Sequence, residues 1–196
     1  MTLSNLKLQT LGIAAALALG SIAMTGCTTT TTSSQASAST ARQAIDSNVD
    51  ATLSRLYNAV PGSREMVQKA AGVLVFPSVI KGSFVIGAEY GRGALRVDGR
   101  TFGYFSTTAG SIGLQAGGQS KAVIYVFNNQ EALDKFRSSK GWTVGADATV
   151  TIASMGANAS VDSRTIQQPI VGYVLTNVGL EAGASVQGAK VNRIEP

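Results

Sequence analysis

From Ala41 onward, Ile45, Val49, Leu53, Leu56 and Val60 recur at spacings of three and four, which puts them on one stripe of a helix. Ser39 or Thr40 is its expected N-cap and Pro61-Gly62 its stop, with Ser63 capping a second short helix to about Ala70. Beyond Gly72 the period falls to two. Val73 to Phe76 reads as a short strand ended by Pro77. Between Lys81 and Tyr90, Phe84, Ile86, Ala88 and Tyr90 alternate with Ser83, Val85, Gly87 and Glu89, the signature of a half-buried strand. Gly91-Arg92-Gly93 and Asp98-Gly99 read as turns. Phe102 to Thr107, Ser111 to Ala116 and Ala122 to Phe127 are further strands, the last apolar on both faces and so expected to be central and covered. One helix interrupts them, capped by Asn128 or Asn129, buried through Leu133 and Phe136, and followed by Gly141. Alternation returns from Trp142 to Ala153. Ile170 to Leu175, after Pro169, is apolar on both faces, and Leu180 to Val186 and Ala189 to Ile194 close the pattern.

Glycines interrupt these strands at Gly87, Gly103, Gly113, Gly145, Gly172 and Gly183, where bulges, bends or close backbone approach are expected. Repeated through a sheet, they predict strong curling. The expected fold is therefore α+β: a strongly curled, mainly antiparallel, partial-barrel-like sheet with an N-terminal helix pair and one inserted helix. The first helix is expected to pack on this sheet. Its polar face carries Arg42, Asp46, Asp50 and Arg55, too balanced a set for a helix lying on a membrane.

The first residues follow a different pattern. Lys7 is the only charge before Arg42, and Leu11 to Met24 is apolar or small throughout. A positive start, a short apolar run and small residues beyond it make a secretory leader, too short for a comfortable span of about 20 residues. Met24-Thr25-Gly26-Cys27 resembles a bacterial lipobox, with Met24 in place of the usual leucine. That resemblance implies lipid on the Cys27 sulfur and cleavage before it. Thr28 rather than Asp follows, which favours the outer membrane, with the domain in the periplasm. The chain divides into a leader (1–26), the lipidated cysteine and a flexible Thr/Ser tether (27–40), and a globular domain (41–196). Thr28 to Thr40 contains nothing able to form a core, and as a coil it would span on the order of 20 Å.

Composition narrows the chemistry. Cys27 is the only cysteine and there is no histidine. No internal disulfide can form, and the commonest general base and metal ligand is missing. Glu89 and Asp147 lie in strands without the spacing of a catalytic pair, and Gly91-Arg92-Gly93 lacks the ending of a phosphate loop. An enzyme is not expected, nor a cofactor or metal. The formal charge of +5 falls by one when the leader, with Lys7, is removed. No basic run or aromatic ladder points to nucleic acid. Two basic clusters remain: Lys81, Arg92, Arg96 and Arg100 about the first turns, and Lys121, Lys135, Arg137 and Lys140 flanking the middle helix. Either suits an anionic lipid surface, where each cation contributes about 1 kcal/mol, although Lys135, Arg137 and Lys140 also suit a helix C-terminus.

Several strand motifs resemble the SYLF domain family, a lipid-binding module of bacterial lipoproteins and of eukaryotic trafficking and actin-associated proteins. They are Ala71-Gly72-Val73-Leu74-Val75-Phe76-Pro77, Lys81-Gly82-Ser83-Phe84, Tyr90-Gly91-Arg92-Gly93, Gly113 to Ser120, Phe136 through Gly145, and Gly179-Leu180 through Lys190. The likeness runs from about 64 to 194. It implies binding to membrane lipids, with anionic phospholipids the natural partners. Actin is not expected for an exported chain. The leading expectation is a membrane-anchored, non-catalytic lipid binder. The alternative is a structural lipoprotein that contacts other envelope proteins, with Arg92, Phe102 and Trp142 as contact residues.

Overall fold

A computed structural model describes residues 30–81, 86–112, 120–154, 165, 167–181 and 184–196. The leader, Cys27, residues 82–85 of the expected Lys81–Tyr90 strand and residues 113–119 lie outside them. Helix α1 (Thr30–Ala59) and helix α2 (Ser63–Lys69) precede the strands β1 (Gly72–Lys81), β2 (Ile86–Val97), β3 (Arg100–Ile112) and β4 (Ser120–Phe127). Helix α3 (Gln130–Ser138) follows, then β5 (Trp142–Thr143), β6 (Thr151–Ile152), β7 (Ile170–Thr176), β8 (Gly179–Leu180) and β9 (Lys190–Ile194). The strands form one sheet in the order β5-β9-β3-β2-β1-β4-β7-β6, with β8 paired to β7. Every pairing is antiparallel except β6 on β7. The result is the expected α+β fold: a curled half-barrel with an N-terminal helix pair and one inserted helix. Its edges end in two-residue strands, which limits the unpaired backbone available for aggregation.

Each face of the sheet has its own core. On one, Ile45, Val49, Leu56 and Val60 of α1 and Met66 of α2 pack on Val73, Val75, Ala94, Ile124, Val126, Val171 and Tyr173. On the other, Leu133 and Phe136 of α3 join Leu74, Phe76, Leu95, Phe105, Tyr125, Phe127 and Trp142. Strands β4 and β7 face both cores, which is why they read as apolar on both sides.

The differences from the sequence reading have physical causes. Helix α1 begins at Thr30 rather than Ala41, so 30–40 is helical and not a coil. Ser39 and Thr40 do not cap it; their hydroxyls bond back to the carbonyl of Ala36, satisfying within the helix the groups that would otherwise favour a turn. Ser63 is likewise no cap. It is buried and donates to the carbonyls of Val60 and Leu56, tying the end of α1 to α2.

Pro77 does not end β1. It sits where the register shifts on both neighbouring strands, the bulge that a residue without an N–H requires in a sheet. Gly91-Arg92-Gly93 is no turn either, but the part of β2 that faces this bulge. A Cβ on Gly93 would land on the Val75 carbonyl, so the glycines admit the displaced strand. Asp98-Gly99 does turn the chain, with φ of 50° and 73°, as a two-residue hairpin needs.

Ser111 and Ile112 end β3 instead of starting a strand. Asn129 caps α3 by accepting the N–H of Ala132 at 2.9 Å, and Ser139 rather than Gly141 closes its other end. Trp142 to Ala153 is not one strand: after β5 it folds back at Gly145 (φ 91°), held by the Asp147 carboxylate on the Thr143 N–H. Of the expected Leu180–Val186 strand, only Leu180 lies in β8.

Candidate functional site

The two basic clusters do not survive as groups. On β2, Arg96 turns toward α1, pairs with Asp50 at 2.8 Å and Asp46 at 3.4 Å, and donates to Thr101. Its side chain is only 14% exposed. Thr101 and Tyr104 also donate to the Asp46 carboxylate, so these residues form the polar clasp that seats α1 on the sheet. Burial and this bond raise the Tyr104 pKa. Arg92 lies one exposed step along the same face, Arg100 is exposed beside the Asp98-Gly99 turn, and Lys81 ends β1 across from Glu89.

Lys121 lies on the face of the sheet away from α1 and pairs with Glu89 at 2.9 Å, both largely buried at 22% and 15% exposure. The pair borders a cavity of about 230 Å³ floored by Tyr125. Burial, and then the Glu89 charge, push the Tyr125 pKa far up. Lys135 is exposed and held by Glu131 at 2.7 Å, which lowers the Glu131 pKa through hydrogen bond and charge.

What the fold does assemble is a cleft of about 470 Å³ between the end of α3 and strand β9. Its aromatic wall is Phe102, with Phe105 and Phe136 behind, the latter pair 5.1 Å apart. Arg137 lies over the Phe102 ring with Cζ 4.1 Å from its centre, and Arg193 approaches the same ring at 5.6 Å. Lys140 completes the rim. Two guanidiniums beside one ring gain cation–π attraction but repel each other. Among the described residues Asp134 is the one acid paired there, at 3.6 Å from Arg137. Among the described residues neither Arg193 nor Lys140 has a carboxylate partner. An anion entering between them would relieve the repulsion and accept charge-assisted hydrogen bonds.

Arg137 and Lys140 were expected from the sequence as basic candidates, and Phe102 as a contact residue; the fold brings all three to this cleft. Arg193 was not: one arginine in a C-terminal strand carries no signal until the antiparallel register sets it beside Phe105. Trp142 is core rather than a contact residue, at edge-on distances of 5.5 Å to Tyr125 and 5.4 Å to Phe136. Among the described residues no group of three acidic, cysteine or histidine side chains could hold a metal ion, and no helix is long and apolar enough to cross a membrane.

No curated protein matches the chain. Residues 108–194 match the family model described as "Ysc84: Las17-binding protein actin regulator". That span begins midway along β3 and ends with β9, so it includes α3 and Arg137, Lys140 and Arg193 of the cleft. The motifs between Ala71 and Gly93 precede it. Residues 108–194 thus match the model of the Ysc84 or SYLF domain, in agreement with the strand motifs of that span.

Proposed function

We propose that this chain is a lipid-anchored, non-catalytic protein whose domain binds anionic lipid headgroups in the cleft formed by Phe102, Arg137, Lys140 and Arg193. The observation that carries the reading is two arginines on one aromatic ring with Lys140 on the same rim and, among the described residues, a single carboxylate paired there. Anchoring would come from lipid on Cys27, the only cysteine, at the end of the leader. The position of α1 is consistent with this. Arg42, twelve residues into the helix, pairs at 3.4 Å with Glu195, two residues from Arg193, so the helix leaves the sheet at the edge that bears the cleft. An anchor three residues ahead of Thr30 would hold that edge toward the bilayer. In this reading the protein sits on the outer membrane with its domain in the periplasm, and actin is not a partner because an exported lipoprotein does not meet it.

Flotation with vesicles tests the proposal. The chain lacking its first 27 residues keeps every described element. It should rise with phosphatidylglycerol-containing vesicles and stay down with purely zwitterionic ones; remaining in solution with both removes the lipid-binding reading. Mass spectrometry of the mature protein tests the anchor separately, since an unmodified Cys27 thiol excludes it. A second reading, contact with another envelope protein, is favoured by a different surface, the part of the sheet that α1 leaves bare.

A further inference from the structure

Helix α1 covers only part of its face of the sheet. It lies across Tyr104, Ala94, Val75 and Ile124, and the rows beyond remain open. There the register sets Arg92 opposite Ser78, and Tyr90 between Ile80 and Thr108, with Lys190 beyond Thr108. Ile80 is 56% and Tyr90 50% exposed, two of the three large exposed hydrophobic side chains among the described residues. On the described strand positions of this bare region the charges are Arg92 and Lys190, with no carboxylate; Glu89 points to the other face. Exposed Tyr, Ile and Arg side by side on a face of otherwise small residues have the composition of an interface centre.

The neighbouring rows show what such a face holds. Helix α1 sits there by setting an apolar stripe on the strands while Asp46 and Asp50 reach Arg96, Thr101 and Tyr104. The bare rows repeat those elements: Arg92 stands four residues from Arg96 on the same side of β2, and Tyr90 supplies a second phenol. Four strand residues span about 13 Å, enough for a second helix beside the first at the usual separation of 8–10 Å. We infer that this face docks an acidic amphipathic helix of another protein, lying alongside α1, with carboxylates on Arg92 and Lys190 and apolar side chains over Ile80 and Tyr90. The surface is distinct from the headgroup cleft, which lies on the other side of the sheet, so the two stand or fall separately.

The test is photocrosslinking of the full chain in its own cells, with benzoylphenylalanine replacing the exposed Thr108. The expected result is a dominant protein adduct whose crosslinked peptide, read by mass spectrometry, is an acidic segment with helical apolar spacing. Arg92→Glu should reduce it at least tenfold, and Arg64→Glu, on α2, should leave it unchanged. Adducts to phospholipid, adducts to segments without that pattern, insensitivity to Arg92→Glu, or no adduct from protein with native circular dichroism would each overturn the inference.

Discussion

Arg92 and Arg96 occupy the same side of one strand, yet among the described residues only Arg96 has a carboxylate partner. Removing Arg96 strips a part-buried Asp46 of its cation. Arg96→Ala should therefore cost about 1–3 kcal/mol, whereas Arg92→Ala should stay within about 0.5 kcal/mol. Urea unfolding with unchanged m-values checks both. The sequence alone could not separate the two arginines, because the partners that distinguish them lie some fifty positions away on α1. The tyrosines offer a second test at this scale. Burial pushes the Tyr173 pKa from 10.0 to about 12, where its hydroxyl donates to the Met66 sulfur at 3.0 Å. Below pH 10 the folded and unfolded chains both keep that proton, and the contribution to stability is complete. Between about 10 and 12 the unfolded chain loses it while the folded chain retains it, so stability falls as pH rises. Tyr125 acts in the same direction. Denaturant midpoints measured across this window should drop, and Tyr173→Phe should make the drop shallower.

Elements with a strong local signal match their expectation. Strands β4 and β7, the Asp98-Gly99 hairpin, the Asn129 cap and the stripe of α1 are each set by neighbouring residues. Expectations missed where a local signal has a nonlocal meaning. Pro77 breaks an isolated strand, but within a paired sheet it makes a bulge, and Gly91 and Gly93 opposite are then strand residues rather than a turn. Gly93→Ala should destabilise by on the order of 3 kcal/mol, because its methyl meets fixed backbone, while Gly110→Ala, with nothing near its Cβ, should be almost neutral. Thermal unfolding of the two variants separates a close approach from a loss of chain flexibility. The stretch from Trp142 to Ala153 misled for another reason: its alternation reflects contacts on both sides of a folded-back segment, not a continuous ladder.

At the scale of the whole molecule, the curl of the sheet was legible because interior glycines and both-sided apolar strands are written in the chain. The cleft was legible only in part. Arg137 and Lys140 stood out beside α3, but their third cation comes from β9 and their aromatic wall from β3, and only the paired, curled sheet brings these together. The predicted consequence is electrostatic and specific to position. Each cation at an anionic surface is worth about 1 kcal/mol, so losing two should weaken binding roughly thirtyfold. Lys135, already held by Glu131 outside the cleft, should matter little. The most direct measurement is quantitative binding of the unlipidated chain to phosphatidylglycerol vesicles at fixed ionic strength, comparing wild type, Arg137→Gln with Arg193→Gln, and Lys135→Gln. A loss of about thirtyfold in the double variant, with Lys135→Gln near wild type, is the expected result. Equal losses in both variants, or no loss in the double variant, would contradict a headgroup site in this cleft.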